Sequence, residues 1–429
     1  MVIVQLDMEG SQTSLLDLLS NDLVLRQTAP YLSVAALLAL AGSNKSYRHL
    51  LRTNPEAWRH LDLSHVQSAI VDSSPIDVGG VAWRAERMDE SLTEDDFYAG
   101  PLRGIFSKLN NRHVLAYVQT LILDGLSVPA DLVREIVAED RYNVRILSVR
   151  DAKNLNHTKL QQVLRYAVRP TRAEGTPKLK ALYVFGHMDK PAVPARSQPP
   201  QRPAPEPPIG VLSSEGAQIG AQWNQMSTAK LNSALPSDDE ERWYQSNGRI
   251  LRRQQSDWAD TLHACQGIIA FDTILCRGPR HDYCAIRDPS AYLPPTLASI
   301  ALGKGCEMCG SSPEGPARFG ESAETALPLL APPPSHASTV RAAQRPTATH
   351  STFPSLFLRC EDCLRGRWCE RCNRWWCEDR YDEAVSRSEA ADANASSSNS
   401  GAPVKVYSKL CVEHCLVGEM MMSADGFWG

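Results

Sequence analysis

The chain has 429 residues, 43% of them hydrophobic and 22% charged, enough for two to three domains with cores of their own. A net charge of −4 excludes a broadly basic chain of the kind that coats nucleic acid or an anionic membrane. The opening MVIVQLDMEGSQTS lacks the basic and apolar regions of a signal peptide, and no stretch approaches the roughly 18 apolar residues of a membrane span. The expectation is therefore a cytoplasmic or nuclear chain, whose twelve cysteines stay reduced and serve metal binding or burial rather than disulfides.

Residues 12–64 read as short helices. Asn21 can cap a helix bearing Leu23, Val24 and Thr28, which Pro30 ends or bends, and Ser33 can cap VAALLALA, closed by Gly42. Asn54 before Pro55 is a cap and first-turn combination, and the helix it opens gives way to the alternating Leu61, Asp62, Leu63 of a short strand.

Residues 65–305 repeat one theme. VQTLILDG is followed by PADLVREIV, VRILSVRD by TKLQQVLRYA, and LKALYVFG by an insertion. The rhythm then resumes with a helix over 249–264, GIIAFDTILC and LASIALG. Each unit is a short strand and then a helix, and strand starts recur at roughly the 26 to 35 residues of a leucine-rich solenoid. An open α/β sheet has similar units, but no Gly-rich phosphate loop follows any strand.

Three segments, about 190–245, 311–352 and 386–402, are crowded with Pro, Ala, Ser, Thr or Asn and offer too little apolar surface to repay chain entropy. They read as insertions without a core. The acidic run from Ser237 to Glu241 falls in the first and reads as a solvated charge run.

Residues 306–429 carry the chemistry. Thiolates spaced C-x-x-C can close on one ion from a single turn, and Cys306 with Cys309, Cys360 with Cys363, and Cys369 with Cys372 all have that spacing. Fewer than one such pair is expected by chance. CVEHC adds Cys411, His414 and Cys415, and eight ligands suffice for two tetrahedral zinc ions. Spacing leaves the pairing open. A cross-brace joins Cys306 and Cys309 to Cys369 and Cys372, and Cys360 and Cys363 to Cys411 and His414 or Cys415; a sequential arrangement joins neighbours. Cys377 is a substitute ligand or a spare thiol. Cys265, Cys276 and Cys284 read as small buried hydrophobes, and His281 near Cys284 lacks the partners of a Cys-His nucleophile. Arg and acidic residues balance over 359–383, so no basic stripe for nucleic acid forms there.

Three resemblances extend this reading. Leu19, Leu23, Tyr31, Leu32, Leu37, Leu38, Leu40, Tyr47 and Leu50, followed by Trp58 and LDLS, resemble an F-box, with departures at Ser20, Ser43 and Lys45. Val144, Leu147 and Val149 resemble part of a leucine-rich repeat, without its usual asparagine. The eight C-terminal ligands with Trp375 and Trp376 resemble a RING module, though with wider gaps. The F-box resemblance implies docking of a Skp-type adaptor through Leu19, Leu23, Leu32, Leu37 and Leu38, a cullin beyond it, and an unidentified protein substrate held by the repeat body and zinc module. The implied fold is α+β to α/β: a helical F-box, a leucine-rich-repeat-like α/β solenoid and a small zinc-bound module. Such a receptor catalyses nothing itself. The alternatives are a RING-like ligase that recruits a conjugating enzyme directly, and a zinc-stabilised scaffold unrelated to ubiquitin.

Overall fold

The computed structural model describes residues 14–70, 94–188, 256–284, 286, 289–345, 355–378 and 405–417. The insertion over 190–245 with its acidic run, residues 346–352, the stretch 386–402 and the start of the helix expected from Arg249 lie outside the described residues.

The first helices begin where short polar side chains can replace missing backbone partners. Ser14 and Asp17 form a capping box on α1 (Leu15–Ser20), Asn21 caps α2 (Asp22–Thr28), Ser33 caps α3 (Val34–Ser43) and Asn44 caps α4 (Lys45–Thr53). The third helix does not stop at Gly42. It runs through Ser43, because the extended backbone of Asn44 both ends it and starts the next. Leu19, Leu25, Ala29, Leu37, Leu51 and Ala57 form a small core of their own. Trp58 closes the module, its Nε1 donating to the Leu51 carbonyl at 2.8 Å, and packs on both this core and the next.

The chain then enters β1 (His60–Asp62) and continues through α5 (Glu94–Asn110), β2 (Thr120–Ile122), α6 (Ala130–Ala138), β3 (Ile146–Ser148), α7 (His157–Ala167), β4 (Ala181–Tyr183), α8 (Ala259–Cys265) and β5 (Ala270–Phe271). The five strands form one parallel sheet in chain order, each paired with its predecessor. Among the described residues the order never reverses, unlike the doubly wound folds that bind nucleotides at a switch point. Sequence periodicity missed α5, where Gly100, Pro101 and Gly104 interrupt an apolar face carried by Leu102 and Phe106.

Alternation along each strand sends Leu121, Leu147, Leu182 and Phe271 to the helix side, against Leu132, Val133, Leu160, Leu164 and Leu262. The turns after the strands are pinned by buried charge. Asp124 accepts from Ser148 Oγ at 2.6 Å and pairs with Arg150 at 2.7 Å, while Asp272 accepts the N–H groups of Val184, Phe185 and Gly186.

Two expectations are corrected beyond β5. LASIALG does not add a sixth parallel strand: β6 (Ile300–Leu302) pairs antiparallel with β7 (Phe357–Arg359) in the cysteine-bearing part. Nor are residues 311–345 a coreless insertion. Ala317 bridges Leu356, Leu327 and Leu330 pack with Ala298, Ala301 and Leu358, and α9 (Val340–Gln344) buries Ala343 and Gln344. The segment has too little apolar surface to fold alone, but it borrows surface from elements already formed. A hairpin of β8 (Val406–Tyr407) and β9 (Leu410–Cys411) completes the described chain. No helix among the described residues is long and apolar enough to cross a membrane.

Candidate metal centres

Three Cys/His clusters can each hold a metal ion, their ligand atoms lying within 4.8 Å of one another. The cross-brace is not formed, and of the sequential arrangement only one site is: Cys369 and Cys372 meet Cys411 and Cys415, whereas Cys306 and Cys309 do not meet Cys360 and Cys363. Each C-x-x-C pair is completed by residues that are not part of another such pair.

The first centre joins Cys276, His281, Cys360 and Cys363. His281 Nε2 stands 3.3 Å from Cys360 Sγ and 3.2 Å from Cys363 Sγ, and Cys276 Sγ is 3.7 Å from Cys363 Sγ. His281 Nδ1 faces the carbonyls of Pro294 at 2.8 Å and Leu293 at 3.1 Å. Carbonyls only accept, so Nδ1 carries the proton and Nε2 turns a lone pair toward the thiols, the outer-shell arrangement of a metal-bound imidazole. Backbone N–H groups of Cys360 and Gly278 point at Cys276 Sγ at 3.0 and 3.4 Å. Burial alone would raise the Cys276 thiol, but the thiols of Cys360 and Cys363, the Arg359 charge and the Gly278 N–H together hold it well below its ordinary range. A ligating cysteine needs that direction.

The second centre joins Cys369, Cys372, Cys411 and Cys415. Cys372 Sγ is 3.7 Å from Cys411 Sγ, which also accepts the Cys415 N–H at 3.5 Å. Asn373, in the left-handed region at φ 57°, turns the chain back after the C-x-x-C pair, and Ser408 and Lys409 at φ 46° and 68° make the tight turn between β8 and β9 that delivers Cys411. Burial pushes the Cys369 thiol up, but N–H groups of Cys372 and Cys411 and the Cys372 thiol bring it down to about 7. His414, an alternative ligand by spacing, is exposed and outside the cluster; Cys415 takes the place.

The third centre joins Cys306, Cys309 and Cys377, with no fourth such side chain among the described residues. Cys309 Sγ is 3.6 Å from Cys377 Sγ, and the Cys377 and Met308 N–H groups face Cys306 Sγ at 3.2 and 3.4 Å. Gly310 at φ 68° supplies the turn after this pair. Cys377 thus stands with the ligands rather than as a spare thiol.

All three donor sets, three thiols and an imidazole, four thiols, and three thiols, suit zinc. Around them lies an ionic shell. Arg359, beside Cys360, pairs with Glu314 and donates to Ser312 Oγ at 2.8 Å. Glu378, next to Cys377 of the third centre, meets Arg280 and Arg367 at 2.9 Å each. Arg280 precedes His281, and Arg367 donates to the Cys363 carbonyl of the first centre. Arg359 and Arg367 are both 2% exposed, so this shell ties the first and third centres together from inside.

The aromatic residues are packing. Trp375 packs at a tilt against Phe357 and donates to the Lys304 carbonyl at 2.8 Å, and Trp376 packs with Cys369, Val406 and Cys411. Both are buried, so neither offers the exposed ring that a conjugating-enzyme surface would use.

Reading by C-x-x-C spacing overlooked Cys276 and His281. Their signal is CRGPRH, a Cys and a His bracketing a Gly-Pro turn, four residues between ligands instead of two. Cys265 is fully buried in the repeat-side core, where burial pushes its thiol up to about 12, whereas Cys284 is exposed. Of the leucines considered for adaptor docking, Leu19 and Leu37 are core residues of the helical module, Leu32 is half-buried, and Leu23 and Leu38 lie on its surface.

No family model matches the chain, and no curated protein matches it.

Proposed function

We propose that the chain is a non-catalytic substrate-receptor subunit of an SCF-type ubiquitin ligase, docking a Skp-type adaptor through its N-terminal helices and presenting a target protein to a conjugating enzyme carried by a cullin. The observation that carries this reading is an apolar surface on a module with its own core. Leu15, Leu18, Leu23, Tyr31 and Leu38 are 56, 49, 72, 75 and 49% exposed within one short helical unit. Exposed leucine and tyrosine side chains on a small module suit a protein interface. The sequential parallel strands with helices on one side support a leucine-rich-repeat-like body behind it. In such a receptor catalysis is positioning, a raised local concentration of a target lysine.

The test is co-purification of tagged full-length protein with a Skp-type adaptor and cullin, beside a Leu23→Glu, Leu38→Glu double variant. Both positions are exposed, so the variant should fold and keep its metal while losing the adaptor. Failure of the wild type to bind adaptor, or undiminished binding by the folded variant, sinks the proposal.

A second reading, a metal-stapled scaffold unrelated to ubiquitin, draws on the three centres. Their cysteines are built into small buried apolar clusters, two of them with tryptophan, as in modules whose fold depends on metal.

A further inference from the structure

The sheet face opposite the helices is closed. Ile146 and Ala181 are fully buried and Tyr183 is 2% exposed, though among the described residues no helix of the repeat-like body covers them. What covers them is the segment 327–344. Leu329 N–H donates to the Phe271 carbonyl of β5 at 2.8 Å, and the Ala331 carbonyl accepts from Tyr183 Oη of β4 at 2.8 Å. Farther on, Pro334 and His336 lie near the His60 ring of β1, and Ser338 Oγ meets Thr120 Oγ1 of β2 at 3.2 Å. The chain then returns as α9, placing Ala343 with Leu329 against Ile146 of β3. One segment touches all five strands.

Its chemistry is specific. LPLLAPPPSHAST contains no Asp, Glu, Lys or Arg, and the Pro332–Pro334 run is stiff, extended and poor in N–H donors. The face beneath offers what such a chain can use: a tyrosine hydroxyl for its carbonyls, a threonine hydroxyl, and flat apolar ground from Ile146 and Ala181. Extended proline-containing segments are held by aromatic and donor-lined grooves in this manner.

We propose that this sheet face is a binding groove for an extended, uncharged, leucine- and proline-rich peptide segment, and that residues 327–338 are its resident occupant, displaced by a partner protein bearing a similar segment. Tethering in cis gives the resident a high effective concentration, so the groove stays filled until a competitor binds more tightly. The inference does not rest on the adaptor reading, and its test involves no ubiquitin component.

The experiment uses the full chain with residues 328–338, Leu330 excepted, replaced by Gly and Ser at equal length. Leu330 is kept because it packs in the cluster with Leu327 and Leu358. The probe is a fluorescein-labelled peptide of residues 326–340, followed by anisotropy. The exchanged chain should bind it saturably, and wild type at least about ten-fold more weakly because its own segment competes. Tyr183→Phe in the exchanged chain should weaken binding several-fold, and a peptide with Gly at 332–334 should bind poorly. A folded, metal-replete exchanged chain that ignores the peptide overturns the proposal. So does equal binding by wild type. Unfolding of the exchanged chain overturns it as well, since the segment would then be a permanent layer of the core.

Discussion

A Cβ added to Gly278 would lie 2.6 Å from Cys363 Sγ. The two residues belong to the two chain segments that meet at the first metal centre, and only a residue without a side chain lets the CRGPRH turn close on the C-x-x-C pair.

Gly278→Ala should therefore open the first centre. Neither backbone nor sulfur can yield without breaking the S···N and S···S approaches around Cys276. The expected result is loss of one metal ion per chain by elemental analysis, with the second centre intact. Full metal content in the variant would show that the turn and the C-x-x-C pair do not share an ion.

Wild-type protein should carry three zinc ions when purified with zinc present, and His281→Ala should carry two. His281→Cys should restore the third, because a thiolate replaces an imidazole in a tetrahedral zinc site. If His281→Ala keeps the wild-type count, the histidine is not a ligand.

Glu378→Ala leaves Arg280 and Arg367 facing each other without the carboxylate between them. Breaking a buried ion pair costs about 3–5 kcal/mol, and Glu378 keeps 24% of its side-chain surface, so the loss should fall toward the lower end of that range. The first and third centres should release zinc to a chelator faster, while the second changes less. Equal acceleration at all three would point to general unfolding.

Trp375→Ala should cost about 3–5 kcal/mol, the usual price of a large aromatic cavity, since the ring is 2% exposed and its N–H is satisfied by Lys304. Lowered thermal stability with metal loss is expected. A variant as stable as wild type would contradict the packing described.

Burial, reinforced by Arg59, His336 and Arg26, brings the His60 imidazole down to about 4 despite the nearby Pro334 carbonyl. The unfolded chain takes this proton as pH falls through about 6.5, whereas the folded chain does so only near 4. The stability held by neutral His60 is thus complete above pH 6.5 and is lost progressively toward pH 4. Thiolate protonation also releases metal in acid, so the comparison is with His60→Gln. Wild type should lose melting temperature faster than the variant between pH 6.5 and 4.5, and parallel curves would remove His60 as the cause.

Much of the local structure was legible from residues alone. Asn21, Ser33 and Asn54 act as caps because a short polar side chain can bond only its nearest backbone neighbours. The strands around Leu121, Leu147 and Leu182 follow from short apolar runs bounded by turns, and the C-x-x-C pairs from a spacing that one turn of chain sets. All of these are short-range properties, complete within a few residues of sequence. Which segments meet was decided by the tertiary fold. Cys276 and His281 join Cys360 and Cys363 across about 80 residues, Cys377 turns back to Cys306, and a proline-rich stretch too poor in apolar surface to fold alone is ordered on a sheet face that already exists. Such contacts depend on the whole chain closing, so no local pattern encodes them.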